Sequence, residues 1–339
     1  MDAMKRAVPL VIAEIGVNHN GSMSQARELV GAAVDAGADA VKFQTFTADL
    51  LASPATPKAR YQERDTSSDS HLSMLRKLAL TRDQHVELAC YCQELGVEFM
   101  STPYGPEGVV LLDELGVRRF KTASADVVDI PLQEAIAATG RPVIISTGMA
   151  SIDEIYQALD AYPEPAATVT LMHAVSKYPT PIEEANLWRM VRLAEEFGLP
   201  VGYSDHTQGV TAATAAVALG AVVIEKHFTV DKHAEGPDHL ASADPQEFRQ
   251  MATLAREVCS ALGSGAFELQ PEEADMARTS RKSLHASRFL PAGTVIGQED
   301  VVLRRPGTGL MWADRWSVIG HAVTRALSAG EIIHVEDMG

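Results

Sequence analysis

Short apolar runs alternate with amphipathic stretches from the beginning of the chain to about residue 262. Eight of the apolar runs have the length and the bounding turn residues of β-strands. The predicted strands are 8–16, 38–46, 97–103, 118–124, 142–149, 168–176, 200–207 and 221–229. Each run is almost continuously apolar, which is typical of strands buried on both faces of a parallel sheet.

The stretches between these runs carry the end signals of helices. Thr81 with Gln84, and Ser151 with Glu154, have capping-box spacing, and Asp244 precedes a third helical stretch as an N-cap. Eight strands that are each followed by a helix predict an α/β fold, a (β/α)8 TIM barrel. A doubly wound sheet is the alternative, but it requires fewer strands or a division into two domains.

The pattern changes after the last helical stretch, and three parts follow from it. Residues 1–262 form the predicted barrel and catalytic domain, and the polar residues 263–282 lack clear periodicity and are interpreted as a linker. Residues 283–339 are rich in turns and predict a small β domain. Two passages in it, "LPAGTVIGQED" and "LSAGEIIHVED", indicate a weak internal duplication.

Composition narrows the classes of function. The chain of 339 residues is 46% hydrophobic and 22% charged, with a formal net charge of −16. This charge argues against nucleic acid or an anionic membrane as a partner. Three cysteines predict reduced thiols rather than a disulfide framework. No segment has the length of a signal h-region or a membrane span, so we expect a cytoplasmic protein.

Two histidines at the ends of consecutive strands are the first candidates for chemistry. His206 and His227 are one βα unit apart, which places them at the same rim of a barrel. A buried histidine satisfied by hydrogen bonds is the alternative for each one alone. Two imidazoles without nearby cysteines do not form a closed zinc site, but they suit an open Mn²⁺ or Mg²⁺ site completed by water and substrate oxygens.

Two lysines interrupt apolar strands in the same way. Lys42 and Lys121 end the second and fourth predicted strands, where hydroxyl residues end several others. Burying a lysine is costly without an anionic partner, so the pair predicts a site for phosphate and carboxylate groups. The chain has no P-loop or Rossmann glycine motif, and nucleotide phosphates are therefore not favoured.

Several ordered motifs resemble the sialic acid (N-acetylneuraminate) synthase family, the phosphoenolpyruvate-dependent nonulosonic acid synthases. They are "AEIGVNHNGS" (13–22), "VKFQTF" (41–46), "STPY" (101–104), "ISTGMA" (145–150), "YPTP" (178–181), "GYSDHT" (202–207), "EKHFT" (225–229) and "GPDHLAS" (236–242). The C-terminal segment with "RRPGTG" resembles the antifreeze-like (SAF) domain of these enzymes.

The resemblance implies a metal-dependent condensation of phosphoenolpyruvate with an open-chain N-acetylated aminosugar, with C–O cleavage and phosphate release, in a domain-swapped homodimer. N-acetylmannosamine would give N-acetylneuraminate. The implied metal ligands are His206 and His227, for a divalent metal, Mn²⁺ first and Mg²⁺ or Co²⁺ as alternatives. The implied phosphoenolpyruvate ligands are Lys42, Thr102, Lys121, Ser124, Ser146, Tyr178 and Ser204.

The remaining implied roles concern the sugar and the reacting water. Asn20, Tyr178 and Asp238 would contact the sugar, as would Arg305, which the SAF domain lends to the partner chain's site. Gln44 matches a family glutamine close to the metal. Glu14 or Glu225 would orient water or a ligand at the reacting centre.

Three positions depart from the family pattern, and the first of them, Asn20, bears on the sugar. Asn20 stands where a family glutamate touches the sugar, Asp126 replaces a glutamate and Ser176 replaces an asparagine. Losing a carboxylate should alter which sugar substituents a polar pocket accepts. The form "KFQTF…YQ", ending at Tyr61-Gln62, also resembles N,N'-diacetyllegionaminate synthases. The alternative sugar is therefore 2,4-diacetamido-2,4,6-trideoxymannose.

Three rival functions stay open. One is a phosphoenolpyruvate aldol-type synthase acting on a sugar phosphate, which would need more basic residues than the strand ends supply. A second is a retro-aldol lyase with Lys121 as its Schiff-base residue. The third is a carbohydrate-binding or ice-binding protein built on residues 283–339, which leaves the polar strand ends unexplained.

Overall fold

A computed structural model describes residues 8–58 and 70–339. Tyr61 and Gln62, which bear on the choice of sugar, lie outside the described residues. The chain divides into two compact units, one ending at Ser264 and the other beginning at Gly265.

The first unit contains one sheet of eight parallel strands in the order β3-β2-β1-β8-β7-β6-β5-β4. The strands are β1 Leu10–Gly16, β2 Ala40–Thr45, β3 Glu98–Pro103, β4 Phe120–Thr122, β5 Val143–Ser146, β6 Val169–Ala174, β7 Val201–Asp205 and β8 Val223–His227. The two end strands, β3 and β4, contact each other, so the sheet nearly closes. This confirms the TIM barrel, and all eight strands lie within the predicted ranges.

Helices follow the strands along the chain. In the described part of this unit they are α1 Met23–Asp35, α2 Ala48–Leu51, α3 His71–Leu78, α4 Arg82–Leu95, α5 Pro106–Glu114, α6 Ile130–Ala138, α7 Ile152–Leu159, α8 Pro165–Thr168, α9 Trp188–Phe197, α10 Thr211–Ala218 and α11 Pro245–Ala261. The predicted capping boxes at Thr81 and Ser151 are both present, and Asp244 accepts from two backbone N–H groups as N-cap. None of the described helices combines the length and the apolar character that a bilayer crossing needs.

The barrel interior is filled by its own side chains. A compact apolar layer closes it below the carboxyl ends of the strands and consists of Ile12, Ala40, Met100, Ile144, Met172 and Val223. Side chains at the alternate positions pack outward against the helices. Polar residues on the inward positions above this layer therefore face a closed floor.

The second unit contains α12 Pro271–Ser280, β9 Ser283–Ala286 and β10 Val301–Arg304, with the two strands antiparallel. The polar segment interpreted as a linker therefore includes a helix. Pro271 occupies its first turn together with Glu272 and Glu273, where negative charge favours a helix N-terminus. No residue of this helix is buried, which explains why the sequence shows no apolar periodicity there.

The weak duplication in this unit has a structural counterpart. Leu290 and Leu327, at equivalent positions of the two passages, exchange backbone hydrogen bonds of 2.9 Å in both directions. Asp300 and Asp337 each accept from the backbone N–H three residues earlier, at 3.0 Å and 2.9 Å. The two copies thus repeat the same turn.

Candidate active site

A cavity of 490 Å³ opens at the carboxyl ends of the barrel strands. Thirteen of the residues predicted for the site line it: Glu14, Lys42, Gln44, Thr102, Lys121, Ser124, Ser146, Tyr178, Ser204, His206, Glu225, His227 and Asp238. They come from separate strands and loops, and the barrel brings them together.

Strand alternation separates the cavity residues from their neighbours on β7 and β8. Ser204 is paired with Glu225, and both point into the cavity, whereas the next pair, Asp205 and Lys226, points outward. Lys226 Nζ lies 2.7 Å from Asp205 Oδ2 and donates to the Thr207 carbonyl at 2.6 Å. Both side chains are at most 1% exposed. This buried ion pair is structural and explains two of the charged residues at the strand ends.

Lys42 lies between acidic and hydroxyl groups on one side of the cavity floor. Its Nζ is 2.5 Å from Glu14 Oε2 and donates to Thr102 Oγ1 at 3.0 Å. Gln44 Nε2 donates to the other Glu14 oxygen at 3.2 Å. Burial raises the pKa of Glu14 despite the opposing charge of Lys42.

Lys121 lies across the floor from Lys42, and the Glu225 carboxylate lies between the two lysines. Lys121 Nζ donates to Ser146 Oγ at 2.6 Å and lies 3.6 Å from Glu225 Oε1, which also accepts from Ser204 Oγ at 2.9 Å. Burial alone would raise the pKa of Glu225, but Lys121 and Lys42 lower it to about 2. Burial lowers the pKa of Lys121. Each ammonium faces the cavity among hydroxyls, and anion binding by the two lysines stays a prediction.

The two histidines lie beside each other at the rim. Their ring centroids are 5.6 Å apart, and the Tyr178 ring contacts both, at 4.2 Å from His206 and 5.6 Å from His227. His206 Nδ1 donates to the Val175 carbonyl at 2.6 Å, which leaves Nε2 with its lone pair. Burial lowers the pKa of both rings, most strongly at His227, where His206 lowers it further. Both imidazoles are therefore neutral, the form that binds metals.

The donor set fits a divalent cation with an open coordination sphere. His227 Nδ1 is buried without a hydrogen-bond partner in the described part of the chain, and Asp238 Oδ2 lies 3.8 Å from it. Within residues 8–58 and 70–339, no group of three or more His, Cys, Asp or Glu side chains has a metal-binding arrangement. Two imidazoles would therefore hold the ion, and solvent or substrate oxygens would complete its sphere.

Asp238 is held by the loop that follows β8. Its carbonyl accepts from Ser242 Oγ at 2.7 Å, and Asn18 Nδ2 donates to the same hydroxyl at 2.9 Å. Burial raises the pKa of Asp238 to about 7, and the Glu14 charge adds to the shift. The side chain reaches the cavity beside His227, as the predicted sugar contact requires.

Two residues that were predicted to contact the sugar, Asn20 and Arg305, are not part of the cavity lining. Asn20 is exposed and is not part of the cavity lining; its amide donates to the Glu235 carbonyl at 2.8 Å and lies 3.4 Å from His239 Nε2. Asn20 thus contacts the loop that carries Asp238 rather than the cavity. Arg305 belongs to the second unit, where it is exposed after β10.

Gly148 is a site residue that the sequence analysis missed. Its N–H donates to Ser124 Oγ at 3.0 Å. A Cβ at this position would lie 2.7 Å from Ser124 Oγ and 2.8 Å from Ser176 Oγ. Only glycine therefore allows the backbone to approach both hydroxyls, and the "STGM" motif was the available signal.

The sequence analysis also missed a largely apolar wall of the cavity. One side of the cavity is lined by the segment after β2, namely Leu51, Ala52, Thr56, His71, Met74, Leu75 and Leu78. Four of these residues have the i, i+3, i+4, i+7 spacing of one helical face. This spacing was the signal that could have predicted the wall.

The TIM barrel carries two neutral histidines, two buried lysines and a ring of hydroxyls at its carboxyl rim, and a small β unit follows it. Together these features define a class of anion-binding barrel enzymes. The NeuB family model matches residues 29–267, and the SAF domain model matches residues 281–337. The chain therefore belongs to the NeuB family, whose members are phosphoenolpyruvate-condensing synthases.

Three relatives illustrate the similarity. N,N'-diacetyllegionaminic acid synthase of Legionella pneumophila is 42% identical, over 96% of this chain and 94% of its own. The enzyme of that name from Campylobacter jejuni is 40% identical, over 96% and 98%. A crystal structure of N-acetylneuraminic acid (sialic acid) synthetase from Leptospira borgpetersenii, in complex with citrate, is 32% identical with a TM-score of 0.70, covering 80% of this chain and 90% of that one. The chain is accordingly a synthase of the nonulosonic acid type.

Proposed function

We propose that this enzyme condenses phosphoenolpyruvate with the open-chain form of an N-acetylated aminosugar and releases phosphate by C–O cleavage. The observation that carries the proposal is the placement of Lys42 and Lys121 at the floor of the cavity that His206 and His227 border. An anionic substrate bound at the floor would lie next to an aldehyde at the rim. Its methylene carbon could then form the new C–C bond, with proximity supplying much of the catalysis.

The chain's own residues account for binding and orientation. Lys42 with Thr102, and Lys121 with Ser146, would bind the carboxylate and phosphate of phosphoenolpyruvate. A divalent cation at His206 and His227, which we propose to be Mn²⁺, would supply Lewis acidity toward the sugar aldehyde.

Water must add to the former enol carbon before phosphate departs. Glu225 can orient this water, because its Oε2 is buried and has no hydrogen-bond partner among the described residues, although Lys42 Nζ lies 3.8 Å away. Glu14 is the second candidate, since it lies beside Lys42. The resulting hemiketal phosphate then expels phosphate.

Two sugars are candidates. N-acetylmannosamine would give N-acetylneuraminate, and 2,4-diacetamido-2,4,6-trideoxymannose would give N,N'-diacetyllegionaminate. The similarity to two synthases of the second product, at 42% and 40% identity, supports the second sugar. The similarity to the Leptospira synthetase at 32% supports the first.

Phosphate release from phosphoenolpyruvate labelled with ¹⁸O in its bridging position tests the reaction. With Mn²⁺ and either sugar we expect the label in the released phosphate, because the C–O bond breaks. Label retained in the sugar acid would show P–O cleavage and overturn the mechanism. Borohydride trapping with pyruvate should leave Lys121 unmodified, since the condensation forms no imine, whereas a trapped adduct would favour the lyase.

We also propose a homodimer in which the second unit is swapped and Arg305 reaches the partner chain's sugar site. Arg305 belongs to the second unit and is exposed there, so its side chain is available to a second chain. Light scattering of the purified chain tests the dimer itself.

A further inference from the structure

The two rim histidines are held in place by different means. His227 ends β8 and is paired with Glu14 of the neighbouring strand β1, so the sheet itself fixes its backbone. The backbone pairing of β7 with β8 ends at Asp205 and Lys226. His206 follows this last pair, and the ladder between the two strands therefore does not fix its distance from His227.

Side chains continue the connection where the backbone ladder between these strands ends. Asp205 Oδ1 accepts from the Thr207 N–H at 2.9 Å, and Lys226 Nζ donates to the Thr207 carbonyl at 2.6 Å. The same Nζ lies 2.7 Å from Asp205 Oδ2. His206 stands between Asp205 and Thr207, so the ion pair ties the backbone on both sides of this histidine to β8.

Burial makes this connection stiff. The side chains of Asp205 and Lys226 are at most 1% exposed, and Thr207 is 1% exposed. Charge-assisted hydrogen bonds are short and strong, and water does not compete for them in a buried site. Neither charged residue is among those that line the cavity, so the pair acts on a bound ion or substrate through the histidines.

The affinity of a metal site depends on the position of both rings. The His206 ring is oriented by its bond to the Val175 carbonyl, but its distance from the His227 ring, 5.6 Å between centroids, also depends on where its backbone lies. The proposed cation would have two imidazole ligands and otherwise solvent or substrate oxygens. A shift of one ring would therefore weaken half of the bonds that the protein supplies.

We propose that Lys226 and Asp205 are positioning residues of the cation site: their ion pair fixes the distance of His206 from His227 and thereby sets the affinity for a divalent cation. The inference rests on the proposed function, which places that cation at the two histidines. It adds a role in binding to the role of this pair in stability.

Calorimetric titration of the full chain with Mn²⁺ separates this role from a role in stability alone. Lys226→Met removes the donor to the Thr207 carbonyl, and we expect the Kd for Mn²⁺ to rise about tenfold. The double variant of Lys226→Met with Asp205→Asn no longer buries an unpaired charge and should regain stability in urea denaturation. It still lacks the donor to Thr207, so its Kd should stay raised. A pair that only stabilises the fold would regain affinity together with stability.

Glu98→Gln is the matched control at the opposite end of the strands. Glu98 begins β3, its side chain is 7% exposed, and it accepts from Arg119 Nε at 2.9 Å. Losing this charge should lower stability and leave the Kd for Mn²⁺ unchanged. Asp205→Asn alone keeps the lysine and an oxygen for the Thr207 N–H, and it should raise the Kd less than Lys226→Met does. If Lys226→Met fails to fold, the double variant carries the test.

The outcomes distinguish the proposals. A wild-type Kd in the double variant, or an equal rise in Glu98→Gln, overturns the positioning role and leaves the condensation standing. If Mn²⁺ binding weakens as expected but the wild type releases phosphate with neither sugar, the condensation is overturned and the positioning role stands. A wild type that does not bind Mn²⁺ overturns the cation site and the positioning role with it.

Discussion

Lys121 and Glu225 approach to 3.6 Å, although they belong to β4 and β8, on opposite sides of an eight-stranded barrel. The Glu225 carboxylate also lies 3.8 Å from Lys42 of β2. A single carboxylate thus reaches both ammonium groups that we assign to phosphoenolpyruvate. Its charge holds two buried cations at the floor before any substrate binds.

Replacing this carboxylate tests its role in the reaction. Glu225→Gln keeps the size of the side chain and the contact with Ser204 but removes the charge and the acceptor that would orient water. We expect kcat to fall about 100-fold, within the usual range for general acid–base groups, with a smaller change in KM for phosphoenolpyruvate. The exposed Glu183→Gln serves as control. Wild-type kcat in Glu225→Gln would exclude it from the chemical step.

Removing either rim histidine should abolish both metal binding and turnover. His206→Ala and His227→Ala each leave one imidazole, which is too few protein ligands for a stable site. Calorimetric titration with Mn²⁺ should show binding to the wild type and to His233→Ala, an exposed control, but not to the two variants. Retained phosphate release in either variant would contradict the metal site.

Arg305→Ala should raise KM for the sugar more than KM for phosphoenolpyruvate, because the arginine is assigned to the sugar. If the arginine acts in the partner's site, mixing Arg305→Ala chains with inactive His206→Ala chains should restore activity in heterodimers. Each heterodimer would contain one site with both intact residues. No gain on mixing, in a dimer shown to exchange subunits, would contradict the swap.

The buried pair of Lys226 and Asp205 should govern stability. Lys226→Met leaves the Asp205 carboxylate buried without its cation, and the loss in unfolding free energy should be about 3 kcal/mol or more. Urea denaturation measures it. The double variant with Asp205→Asn should recover part of the loss, because the unpaired charge is gone; a double variant as unstable as Lys226→Met would argue against the pair.

His19 should make stability depend on pH. It is 1% exposed, its Nδ1 accepts from the Gly21 N–H at 3.0 Å, and burial, with a contribution from His85, lowers its pKa from 6.5 to about 4. Below pH 6.5 the unfolded state takes up a proton that the folded state resists, so stability falls from about pH 6.5 toward pH 4. The full effect approaches about 3 kcal/mol. His19→Gln should flatten this part of the curve of unfolding free energy against pH, and an unaltered slope would contradict the assignment.

The sequence by itself determined the eight strands, the helix caps and most of the polar residues that line the cavity. An apolar run of strand length indicates a buried strand, and a helix cap depends only on residues that are close in the sequence. A lysine or histidine that ends such an apolar run needs a partner that the fold must supply. Lys42, Lys121, His206 and His227 were found for this reason. The register of adjacent strands then placed them at one rim.

Only the tertiary structure decided which buried polar residues face the cavity. Asp205 and Glu225 look alike in the sequence, since both end apolar runs, but one points to the helices and the other across the barrel. Side chains that point into the barrel and side chains that point toward the helices are equally buried, so the apolar pattern of the sequence cannot distinguish Asp205 from Glu225. The apolar wall and the direction of Asn20 likewise depend on how loops return over the barrel, and such contacts between distant segments leave no local pattern.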